Sequence, residues 1–141
     1  MASLLPAQGH ERYFWECNQN YHLMFKLLPL AFEVGTYLSW GCTQNSKLKA
    51  YVLQRHAFTD IFCLQSSLVS HLSWLKNHVI ELRLYHDVSS AEITGFQEHS
   101  ERLTDGRAVD FKRCIDLNQK WQLNLFLFET LMYFTNQKAK K

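Results

Sequence analysis

Seven histidines are the first residues to test for chemistry. His71, His78 and His86 recur at intervals of seven and eight. On a helix this would place them on roughly one side, about 10 Å apart per step, too far to share a metal ion. Helical ligand pairs need a spacing of three or four, and no Glu-x-x-His occurs, which excludes a di-iron carboxylate bundle. The histidines therefore read as surface or boundary residues. Cys17, Cys42, Cys63 and Cys114 are widely spaced, with no C-x-x-C pair for zinc or dithiol chemistry. They read as small core residues of a protein in a reducing compartment. Five dispersed glycines cannot build a phosphate loop, a dinucleotide fingerprint or a nucleophile elbow. Asp105, Asp110 and Asp116 are read as complementing a helix dipole. The expectation is no catalytic site, no metal and no cofactor.

Composition narrows the remaining classes. Charged residues make up 20% of the chain and apolar residues 47%, which excludes a disordered polyelectrolyte. A formal charge of +2 with scattered Lys and Arg gives no strong nucleic-acid footprint. No apolar run approaches a membrane span, and Met1 to Gly9 does not resemble a signal peptide, so an intracellular setting in cytoplasm or nucleus is expected. Aromatic residues reach 14%, so either the core is very aromatic or some rings serve a partner.

The elements that would position these residues are read as helices, because breakers are scarce: two prolines, Pro6 and Pro29, and five glycines. A seven-residue repeat runs through Tyr51, Gln54, Phe58, Ile61, Gln65, Leu68, Leu72, Leu75, Val79, Leu82 and His86. It predicts one helix from Ser46 to His86, about 60 Å long if unbroken, with Ser66-Ser67 as its weak point. A Ser89/Glu92 capping box would start a shorter helix, Ser90 to Leu103. The last helix is placed at Ala108 to Gln137. One apolar row there is Phe111, Cys114, Asn118, Trp121, Leu125, Phe128 and Met132. A second is Leu117, Leu123, Phe126, Leu127, Leu131 and Phe134, which would make the helix central to its bundle. From His10 to Trp40 the spacing is near-helical, and Pro29 either kinks one helix or separates two. The predicted fold is all-α: an up-and-down bundle of four to five helices, with one very long heptad-patterned helix. It forms a single domain over 1–141, with 1–9 a flexible arm and 138–141 a flexible basic tail.

Three functional readings follow. The leading one is a non-enzymatic adaptor or assembly subunit that packs amphipathic, coiled-coil-like helices against a partner protein or a second copy. Its expected contacts are Tyr13, Phe14, Trp15, Gln65, Trp74 and Tyr85, since Trp and Tyr are enriched at binding hot spots. An alternative is a helical nucleic-acid-binding protein, with Lys47, Lys49, Arg55, Lys112, Arg113 and Lys120 converging at helix ends. The other is a small-molecule or lipid binder with a cavity between helices.

Overall fold

The segment from Ser46 to His86 is not one helix. In the computed structural model, which describes residues 10–43, 46–66, 78–98, 112–113 and 117–139, it contains three β-strands. The chain runs α1 (His10–Leu27), β1 (Tyr37–Thr43), β2 (Ser46–Arg55), β3 (Thr59–Ser66), β4 (His78–Tyr85), β5 (Ser90–Glu98), β6 (Lys112–Arg113) and α2 (Leu117–Ala139). Every strand pairs antiparallel with the next, so the sheet is a meander in the order β1-β2-β3-β4-β5-β6, with β6 only two residues long. The fold is α+β. The all-α bundle, the coiled coil and the long heptad helix are overturned.

Burial explains both the strands and the misreading. Leu48, Ala50 and Val52 on β2, Phe62 and Leu64 on β3, and Ile80, Leu82 and Leu84 on β4 alternate into one core. That is a period of two. On the opposite face, however, Ile61, Cys63 and Val79 are buried as well. β3 is therefore an unbroken apolar run from Ile61 to Leu64, and such runs lose the alternation that announces a strand. A heptad can be threaded through them by accident. Seam positions Leu68, Leu72 and Leu75 lie outside the described residues.

The β2–β3 turn contains neither Gly nor Pro and so leaves no mark in the sequence, whereas the break expected between His86 and Ser90 is a turn, though between strands and not helices. Strands β2 and β3 are joined through His56, Ala57 and Phe58, closed by His56 N–H donating to the Thr59 carbonyl at 2.8 Å. Strands β4 and β5 are joined through His86 to Ser89, with Ser89 at a φ of 51°. A left-handed serine costs roughly 1–2 kcal/mol. Asn18 Nδ2, donating to the Ser89 carbonyl at 2.9 Å, helps hold it. Ser90 to Glu98 is therefore strand β5, and the capping-box residues Ser89 and Glu92 belong to a hairpin.

Both helices lie on the same face of the sheet, giving two layers around one core. α1 ends at Leu27, and Leu28 N–H still bonds the Met24 carbonyl at 3.0 Å before Pro29 removes the next donor. Pro29 thus separates a helix from a strand, and the expected helical reach to Trp40 becomes β1. The freed carbonyls at this end find donors: Lys138 Nζ bonds the Lys26 carbonyl at 2.8 Å, and Trp40 Nε1 bonds that of Leu27 at 3.1 Å. A cation there also complements the helix dipole. α2 begins at Leu117, and Lys112–Arg113, expected within that helix, are a strand instead.

Candidate functional site

α2 carries two apolar rows, and the sheet takes only one of them. Leu123, Leu127, Leu131 and Phe134 are fully buried against the strands. The other row, Trp121, Leu125, Phe128 and Met132, repeats at intervals of four, three and four along a different side. Leu125 and Met132 are 37% and 38% exposed, while Trp121 and Phe128 are half-buried. α2 is therefore not wrapped on all sides: it sits in an outer layer and keeps an apolar stripe at the surface. α1 extends that stripe. The Trp15 ring lies 6.1 Å from that of Phe128, with the Arg12 guanidinium 5.4 Å from the Trp15 ring centroid. Phe14, one residue earlier on α1, is 65% exposed, but its ring lies 5.8 Å from that of Tyr13 and off the stripe.

A polar layer behind the stripe fixes how the helices cross. Asn20 Nδ2 donates to both the carbonyl and Oδ1 of Asn124 at 3.2 Å, and Asn124 Nδ2 reaches Cys17 Sγ at 3.6 Å. Tyr13 donates its hydroxyl to Glu92 Oε2 at 2.7 Å, anchoring the start of α1 to β5. Burial first, then the negative groups nearby, push the Tyr13 phenol far above its usual range; burial lifts the Cys17 thiol to about 11. Both stay protonated at neutral pH, so Tyr13 remains a donor to the carboxylate. Two buried atoms of this region, Asn20 Oδ1 and Trp121 Nε1, have no partner. Each such group costs roughly 1–3 kcal/mol.

A second cluster occupies the end of the sheet where the β2–β3 and β4–β5 turns meet α1. Asp60, buried, accepts from Arg55 Nε at 3.2 Å and bonds His86 Nε2 at 3.0 Å. His86 Nδ1 lies 2.9 Å from the Tyr21 hydroxyl. Burial, reinforced by the charge on Asp60, raises the Tyr21 pKa, which keeps the phenol a donor. A neutral His86 then carries its proton on Nε2, facing Asp60, and accepts from Tyr21 on Nδ1. The Tyr–His–Asp order resembles a proton relay, but the raised phenol pKa disfavours a phenolate nucleophile. Its evident effect is mechanical: three segments distant in sequence are tied together. Arg55 adds a fourth, donating from Nη1 to the Phe32 carbonyl at 2.6 Å with its guanidinium 3.9 Å from the Phe32 ring centroid.

The residues singled out from sequence are dispersed by this fold. Tyr13 is buried behind the stripe, Trp15 lies on it, Phe14 is exposed beside Tyr13 and off it, and Trp74 lies outside the described residues. Gln65 and Tyr85 fall on the sheet face away from the helices, opposite in alternation to Leu64 and Leu84. Among the basic positions, Lys47 and Lys49 are on β2, Lys112 and Arg113 on β6, and Lys120 on α2. β2 and β6 are four strands apart, about 19 Å at ordinary strand spacing, which separates the backbone of Lys47 and Lys49 from that of Lys112 and Arg113. Arg55 is engaged by Asp60. Between α2 and the sheet, the space lined by Leu48, Leu64, Ile80, Phe126 and Leu127 measures about 20 Å³, enough for one water and not for a lipid. The sequence reading missed Tyr21 and Asp60; in Asp60, a lone acid in an apolar run was the available signal.

Among the described residues, no group of three or more His, Cys, Asp or Glu side chains is arranged to hold a metal, and no helix is long and apolar enough to cross a membrane. No curated protein and no solved structure matches the chain. A family model described as "Protein of unknown function (DUF1249)" matches residues 23–140, from the end of α1 through α2, and the chain belongs to that family.

Proposed function

We propose that this protein is a non-enzymatic assembly module that pairs with a second copy of itself through the α2 stripe. The observation that carries this is the surface row Trp121, Leu125, Phe128 and Met132, extended by Trp15. Spacings of four, three and four read the same from either end. An antiparallel copy related by a two-fold axis would set Leu125 against Phe128 and Trp121 against Met132 along the whole row. Covering what remains exposed of each side chain contributes about 1 kcal/mol apiece. Trp, Phe and Met are also the residue types enriched at interface centres.

Light scattering across a concentration series tests this, together with a photo-crosslinking side chain placed at position 125. The expected result is a dimer whose crosslinks join position 125 to α2 of the second copy. Leu125→Glu with Met132→Glu should give a folded monomer. A wild-type chain that stays monomeric, crosslinks running only to another protein, or a double variant that still dimerises would overturn the reading.

A further inference from the structure

The sheet face away from the helices is hollowed, and two strand irregularities do the hollowing. On β2, Val52 pairs with Phe62 but Gln54 pairs with Ile61, leaving Leu53 as an extra residue. Leu53 and Gln54 consequently both line this face. On β5, Gly95 lies opposite Glu81 but Ile93 lies opposite Leu82, leaving Thr94 extra. The Thr94 hydroxyl donates to Glu81 Oε1 at 2.6 Å. Strand bulges of this kind re-aim side chains and concentrate beside binding sites. Here they bracket β3 and β4 from both sides, and the cleft above them measures about 400 Å³, within the range of small-molecule sites.

A donor and an acceptor stand side by side in this cleft. Glu81 is nearly buried, and Arg83 Nη2 lies 3.7 Å from its Oε1, an ion pair too long for a hydrogen bond. Arg83 Nε is buried without a partner. The guanidinium also bonds Tyr85, so its open hydrogen-bonding capacity lies at Nε, and a ligand acceptor that reached this nitrogen would recover part of that cost. Tyr85, whose phenol is raised chiefly by burial and then by Glu92, stays protonated and closes one end; Leu53 and Ile61 supply apolar wall.

We propose that the cleft binds a small, uncharged, planar bicyclic heterocycle presenting a hydrogen-bond donor and acceptor on adjacent edge atoms. Glu81 takes the donor, Arg83 supplies the acceptor's partner, and the ring packs against Leu53, Ile61 and Tyr85. The opposite charges of Glu81 and Arg83 leave no strong preference for an ionic ligand, and the volume suits a base-sized molecule better than a nucleotide. This site is independent of the α2 stripe.

Hypoxanthine and 2-aminoquinazolin-4-one are suitable probes, with naphthalene as a ring lacking any donor or acceptor. Titration of the full chain by NMR should give saturable shifts at Leu53, Arg83, Tyr85 and Thr94. Arg83→Lys, which keeps the charge but loses the planar fork, should weaken binding about tenfold or more. Leu125→Glu should bind as the wild type does. Absence of saturable shifts, shifts centred elsewhere, equal binding of the naphthalene control, or an Arg83→Lys variant that binds as well as the wild type would each overturn the proposal. If Arg83→Lys fails to fold, Gln54→Ala and the naphthalene comparison decide by the same criterion.

Discussion

The imidazole of His86 bonds the carboxylate of Asp60 at 3.0 Å across 26 residues of sequence. That contact joins the β2–β3 turn to the β4–β5 turn, and the backbone repeats the link where His86 N–H donates to the Phe58 carbonyl at 2.8 Å. Removing Asp60 strands the partly exposed groups His86 and Arg55, both of which still reach water, so the loss falls below that of a fully buried pair. Asp60→Ala should cost about 2 kcal/mol in urea titrations, and Tyr21→Phe about 1 kcal/mol. A loss under about 0.5 kcal/mol for Asp60→Ala would mean the tie contributes nothing beyond ordinary surface pairing.

The Asn20–Asn124 contact should show strong coupling. Asn20→Leu or Asn124→Leu alone leaves a buried amide without its partner, at roughly 1–3 kcal/mol each. Replacing both removes the polar requirement, so the double variant should be less destabilised than the sum by at least about 1 kcal/mol. Additive losses in a double-mutant cycle would show that the two amides do not act as a pair.

Alkaline pH should destabilise the protein from about pH 9 upward. Cys17 is lifted from 9.0 to about 11 and Cys63 from 9.0 to about 12, both chiefly by burial. Above pH 9 the unfolded chain releases thiol protons that the folded chain keeps. The unfolded state then binds fewer protons, and stability falls as pH rises. The contribution is fully present below pH 9 and lost by about pH 12, on the order of 2–3 kcal/mol for Cys17. Melting temperature should be level from pH 7 to about 8.5 and then decline, less steeply in Cys17→Ala. An identical slope in that variant would contradict the assignment.

The same two thiols should resist alkylation in the native state. Iodoacetamide followed by peptide mass mapping should modify Cys17 and Cys63 only at the rate of unfolding, because burial holds each in the unreactive thiol form. Rapid modification of either at pH 8 would show that its surroundings open locally.

Helices α1 and α2 were visible in the sequence because the helical signal is local. Leu123, Leu127 and Leu131 recur every four residues, and Pro29 lacks the N–H that a regular helical turn needs. The exposure of one ring among Tyr13, Phe14 and Trp15 was legible for the same reason: adjacent rings on a helix cannot all face one core, and Phe14 is the one left outside. Strands β2 to β4 were not legible. Ile61, Cys63 and Val79 are buried on the face where alternation would call for polar residues, and the turn through His56, Ala57 and Phe58 has no Gly or Pro to announce it.

What the sequence determined by itself is therefore the pair of apolar rows on α2 and the absence of local ligand or nucleophile motifs; it left open whether Pro29 kinks a helix or ends it, and the structure ends α1 at Leu27. Tertiary structure alone decided which α2 row faces inward, because that choice is made by a sheet that exists only once strands distant in sequence have paired. It also decided that His86, Asp60 and Tyr21 meet, and that two bulges hollow the far face. Those relationships depend on register between strands, and register is a property of pairs that neither strand carries alone.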